Sequence, residues 1–211
     1  MLRWNAVFLL LVINVAGLHA GEPLFVPHGA GSMGMAFAVT ATPGHWNSFH
    51  NQALLTANSG TAFSASFENR FMMSALSSKA VSAIFAFKQA PLGLVVSHYG
   101  NADYYRLFTG AGSAVRITDA VALGVQVDYI SEHGIDEYRD VSHVTFEAGM
   151  TCNLSSSFTV GIHLFNPVSP LNTLPSSIDA GINWKQSDGL FLTLTGSKVS
   201  NEPLSVQCGI S

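Results

Sequence analysis

The sequence predicts an all-β fold, an antiparallel transmembrane β-barrel in which about ten strands are visible. Three observations carry this. Apolar residues make up 48% of the 211-residue chain and charged residues only 10%, against the roughly 25% charged residues usual in soluble domains. Beyond the N-terminus no stretch reaches the ~20 consecutive apolar residues of a spanning helix. From Thr61 onward the apolarity is instead dealt out in alternation, over segments of about 8 to 11 residues.

The first element reads as an export signal. Met1-Leu2-Arg3 is a short positive start, Ala6 to Val15 is nearly unbroken apolar sequence, and Ala16-Gly17-Leu18-His19-Ala20 supplies small residues near a cut. That order marks a secretory signal peptide. Cleavage is expected after Ala20, with Gly17 as the competing site, and an anchoring helix is disfavoured because the run is short of a full span. The expected organisation is a signal peptide over 1–20, a plug-like segment over 21–60 and a β-barrel over 61–211.

Three strands alternate almost without fault. Val121, Leu123, Val125, Val127 and Tyr129 oppose Ala122, Gly124, Gln126 and Asp128. Val144, Phe146, Ala148, Met150 and Cys152 oppose Thr145, Glu147, Gly149, Thr151 and Asn153, and Phe158, Val160, Ile162 and Leu164 oppose Thr159, Gly161 and His163. The same rhythm predicts strands near 61–71, 78–88, 91–99, 104–117, 177–185, 190–197 and 203–211. One face carries Phe, Val, Leu, Ile and Ala, and the other Gly, Ser, Thr and the ionisable Glu68, Arg70, Asp128, Glu147, His163 and Asp179.

Alternation alone also fits a soluble β-sandwich used for adhesion. Segment length favours the barrel, whose strands run to ~10 residues against about 5 to 6 in soluble sheets. The connections favour it too: Thr118-Asp119-Ala120, Leu154–Ser157 and Gln186–Gly189 are tight, while Ser131–Ser142 and Asn166–Ser176 are long. Barrels have short periplasmic turns and longer external loops, so the chain before Thr61 begins on the periplasmic side. Tyr99, Tyr104, Tyr105, Tyr129, Phe165 and Trp184 lie near strand ends, as expected of an interfacial girdle. The end, Leu204 to Ser211, falls within a strand pattern and lacks a terminal aromatic; the expectation is a shortened chain or a smaller barrel.

Residues 21–60 have a different texture. Gly29-Ala30-Gly31-Ser32-Met33-Gly34-Met35-Ala36 is followed by Trp46-Asn47-Ser48-Phe49-His50-Asn51-Gln52-Ala53. This resembles the start of FadL-like outer-membrane barrels of the PorV and PorQ type in Bacteroidota. Those proteins carry a Gly-Ala-Arg-Ser-x-Gly-Met-Gly-Gly-Ala run and then a Trp/Phe-x-x-x-x-Asn-Pro-Ala element. Gly31 replaces their Arg, and Gln52 replaces their Pro within the plug element Asn51, Gln52, Ala53. Phe67-Glu68-Asn69-Arg70-Phe71, Gln126-Val127-Asp128-Tyr129 and Leu164-Phe165-Asn166-Pro167 extend the likeness along the mature chain. The resemblance implies an outer-membrane barrel of about fourteen strands with a plug in its lumen. It also implies one of two roles: a structural or secretion-associated (type IX) component, or transport of hydrophobic small molecules.

Glu68, Arg70, Arg106, Asp128, Glu147 and His163 form the candidate polar path through the lumen, with charge pairing across strands as the structural alternative. His28, His45 and His50 match no ligand spacing, and Glu132, Asp136, Glu137 and Asp140 read as a solvated external loop. Cys152 and Cys208 read as small apolar residues. No nucleophile elbow, phosphate loop or metalloprotease helix is present, so no catalytic, cofactor or metal role is assigned. The net charge of −4 has no basic block, which argues against nucleic acid as a partner. The expected partners are outer-membrane lipid, other envelope or secretion proteins, and a hydrophobic small molecule.

Overall fold

A computed structural model describes residues 29–134, 140–168, 174–187 and 189–211. The expected signal peptide over 1–20 and His28 lie outside the described residues. Within them, ten strands follow one another as an antiparallel meander in the order of the chain. They are β1 (Ala62–Asn69), β2 (Ser77–Phe85), β3 (Leu92–Gly100), β4 (Tyr105–Arg116), β5 (Val121–His133), β6 (Val141–Asn153), β7 (Phe158–Phe165), β8 (Ser177–Ser187), β9 (Leu190–Val199) and β10 (Ser205–Ile210). No pairing joins β1 to β10 among the described residues, so the sheet is open along that seam.

The faces are disposed as the alternation requires for a barrel wall. Along β5, Leu123, Val125 and Val127 point outward, while Gly124, Gln126 and Asp128 are buried. Val125 is 62% exposed and Gln126 1%. Phe146, Ile182 and Leu194 are likewise exposed, whereas Glu147, Asn183 and Thr195 are buried. A single sheet with its apolar residues outside is the reverse of a soluble sandwich, in which that face would form the core. Hydrocarbon is the solvent that such a surface fits.

The concave face wraps a segment formed by residues 29–58. It starts with the short helix α1 (Ala30–Gly34) and ends in two 3-10 turns, Asn47–Phe49 and Gln52–Ala57. Asn47, Ser48, Asn51, Gln52, Ala53, Leu54 and Leu55 are all buried. Gly29 has φ +97°, and a Cβ there would come within 2.5 Å of the Trp46 ring, so glycine suits both backbone and space.

Three sequence expectations are corrected. The loop expected at Ser131–Ser142 is shorter, because cross-strand pairing continues to Glu132↔Val141. Glu132 accordingly belongs to β5; Asp136 and Glu137 lie outside the described residues. Phe165 and Tyr99 are absent from an outer girdle: Phe165 is buried in an inner apolar cluster, and Tyr99 is paired in register with the inward Arg106. Trp184 does face outward, stacked on Phe158 at 5.8 Å.

Candidate functional site: the barrel interior

Inside the sheet the side chains fall into layers. Toward the long-loop end, Val95, Phe108, Ile130, Phe165 and Leu174 form one apolar cluster, with Phe49 of the inner segment packed against it. Toward the short-turn end, Leu55, Ile84 and Ala114 form another. A polar layer lies between them.

The inner segment sits in that layer because the wall there lacks side chains. Register places Gly93 opposite Gly112, Gly124 opposite Gly149 and Gly161 opposite Gly181. A Cβ on Gly93 would come within 2.1 Å of Ser48 Oγ, one on Gly124 within 2.4 Å of the Ala53 nitrogen, one on Gly149 within 2.1 Å of Asn51 Oδ1, and one on Gly161 within 2.3 Å of the Thr40 carbonyl. Glycine in a strand interior marks a place where another backbone approaches closely, and these glycines are such places.

Asn51 and Gln52 fasten the segment. Asn51 Oδ1 accepts from the Ala53 amide at 3.1 Å. Its Nδ2 donates to Thr40 O at 2.8 Å and reaches the wall carbonyls of Met150 and Ile162 at 3.3 and 3.4 Å. Gln52 Nε2 donates to Glu147 Oε2 and to Ser48 O at 3.3 Å. The Gln that replaces the resembled family's Pro is thus a wall contact, and one a Pro side chain has no donor to make.

Glu147 continues the network. Its Oε2 lies 3.0 Å from His163 Nε2, and His163 Nδ1 lies 3.4 Å from Asp179 Oδ2. Gln126 Nε2 donates to Asp128 Oδ1 at 2.9 Å. Gln52 Oε1, Gln126 Oε1 and Asp128 Oδ2 are buried acceptors with no donor among the described residues. The layer is rich in acceptors: three carboxylates stand in it with one imidazole.

Glu68, Arg106, Asp128, Glu147 and His163 of the candidate polar path take inward positions on their strands, while Arg70 lies past the end of β1 with its side chain 41% exposed, and the six do not form one continuous row. Asp128, Glu147 and His163 are brought together. Arg106 is instead held by Glu132 at 2.5 Å, toward the long-loop end, and Glu68 pairs with Arg70 two positions away at 2.7 Å on the edge strand. Sequence reading passed over Gln126 and Asn166. Asn166, at φ +47°, accepts from Thr145 Oγ1 at 2.8 Å and donates to Leu174 O at 2.7 Å, tying the end of β7 to β6 and to Leu174. Its signal was the Asn-Pro pair that marks a turn. His50 Nε2 lies 3.1 Å from Ser32 Oγ, and the described residues hold no group of three His, Cys, Asp or Glu side chains placed for a metal.

The architecture is that of outer-membrane channel and porin barrels. The CymD monoaromatic hydrocarbon channel superposes with a TM-score of 0.58 at 15% identity, over 81% of this chain and 68% of that one. The KdgM porin, solved in complex with disordered oligogalacturonate, gives 0.52 at 11% identity over 72% and 82%. No protein-family model matches the sequence, and no curated protein does.

Proposed function

We propose that the chain is an outer-membrane channel for small molecules whose lumen is closed by residues 29–58 acting as a plug, the chain reaching that membrane through its N-terminal export signal. The observation that carries this is how the plug is held. At its centre the contacts are a handful of hydrogen bonds, Asn51 to the wall carbonyls and Gln52 to Glu147, set against glycine-floored grooves. A plug so held leaves with little apolar surface to expose at that level, and it uncovers Asp128, Glu147 and Asp179 as an acidic lining. Acidic rings select cations in channels. The described neighbours, a monoaromatic hydrocarbon channel and a porin, support conduction as the working role, and no catalytic residue enters it.

A second reading, a structural or secretion-associated component of the PorV and PorQ type, is favoured by the filled interior and by the Gly29–Ala36 and Asn51–Ala53 elements. Planar-bilayer recordings separate the two. Wild type should conduct rarely, and an Asn51→Ala/Gln52→Ala variant should open frequently with a cation-selective reversal potential. A silent variant that remains folded, together with co-purification of envelope secretion proteins, would favour the second reading.

A further inference from the structure

Nearly all outward side chains of β2 and β3 are apolar: Val81, Ala83 and Phe85 on one strand, Leu92, Leu94 and Val96 on the other. At the long-loop end of this face the pattern breaks. Lys79 stands outward and exposed, paired in register with His98. The His98 ring stacks on Tyr105 at 5.6 Å, and Tyr105 stacks on His133 at 5.1 Å, forming a ladder across β3, β4 and β5. His133 is engaged by Asp140 at 2.5 Å, so the uncompensated positive charge lies at the Lys79 end. Among the described residues Lys79 has no ion-pair or hydrogen-bond partner. His98 Nδ1 is buried without one, and its Nε2 makes no hydrogen bond among the described residues.

Interior charges are treated differently, since Arg106 and His163 each face a carboxylate. An unpaired ammonium on a lipid-facing wall is unfavourable at the bilayer midplane and tolerated near its edge. There its stem lies along apolar surface and its head reaches the interface. From these observations we infer that Lys79 and His98 form a binding site on the outer wall for the phosphate headgroup of an anionic membrane lipid. Its acyl chains would lie along Val81, Val96 and Leu94. Lys79 supplies the charge, His98 Nε2 a hydrogen bond, and Tyr105 the surface that fixes the His98 ring. The inference rests on the reading of this face as lipid-exposed.

The full chain is folded into phosphatidylcholine vesicles doped with phosphatidylglycerol, and the enrichment of phosphatidylglycerol among lipids retained by the protein is measured by native mass spectrometry. The expected result is an enrichment that falls about fivefold in Lys79→Ala, falls further in Lys79→Ala/His98→Ala, and persists in Lys79→Arg. An unchanged enrichment in inserted Lys79→Ala overturns the site while leaving the barrel intact. Displacement of the lipid by millimolar inorganic phosphate overturns it in favour of a free-anion site. A chain that does not enter vesicles at all overturns the lipid-facing reading together with the site.

Discussion

Gln52 and Glu147 are separated by 95 positions, yet the amide of one donates to the carboxylate of the other deep inside the sheet. The same Glu147 oxygen also faces His163 Nε2 at 3.0 Å. One wall carboxylate therefore joins the inner segment to the strand next to its own.

Replacing Gln52 by Leu keeps the volume and removes the donor. A hydrogen bond to a charged group contributes about 1.5–3 kcal/mol, and the variant should lose stability of that order in urea unfolding from detergent. Gln52→Glu should be worse, because it sets a second carboxylate against Glu147. Equal midpoints for wild type and Gln52→Leu would show that the contact does not hold the segment.

The glycine pairs offer a steric test. Gly149→Val should displace Asn51, since even a Cβ would lie 2.1 Å from its Oδ1, and protease should then cut within residues 29–58. Gly196→Ala, whose Cβ would have the Ala180 carbonyl 4.0 Å away as its nearest neighbour, should leave that segment protected.

Charge on the outer wall should block insertion. Val125→Arg puts a cation in the apolar band, at ~2–4 kcal/mol near the bilayer midplane, and should lower the fraction with heat-modifiable migration. Thr118→Arg, in an exposed turn, should insert as wild type does.

The two free cysteines report on the same face. Cys208 is exposed and pairs in register with the outward Leu194, while Cys152 is half-buried opposite the β5 residue Val121. A charged, water-soluble maleimide should label Cys208 slowly in vesicles and quickly in urea. Rapid labelling of the inserted chain would place β10 in water.

Much of the wall was legible in the sequence because period two is a local property. Val121 to Tyr129 alternates so cleanly that strand and face follow from it. Loop ends were less legible. Ser131 and Glu132 look like loop by composition, but they are carried into β5 by pairing with Ser142 and Val141, residues about ten positions away. The interior was read only in part. Asp128, Glu147 and His163 were placed on the correct side by parity alone, but which charges meet depends on stagger between strands. Arg106 finds Glu132 rather than Glu147 for that reason. Gly124, Gly149 and Gly161 were read only as members of the small and polar face, although a glycine on the inner face of a strand already signals a close neighbour.

The seat of residues 29–58 is cut out of the wall by leaving side chains off it. Its shape is a negative mould, and what lines the mould at Gly124, Gly149 and Gly161 is peptide backbone. Were the occupant withdrawn, those levels would present amides and short polar groups that water wets readily, with no greasy scar to draw opposite walls together. A hollow form of this sheet would thus stay hollow at its waist.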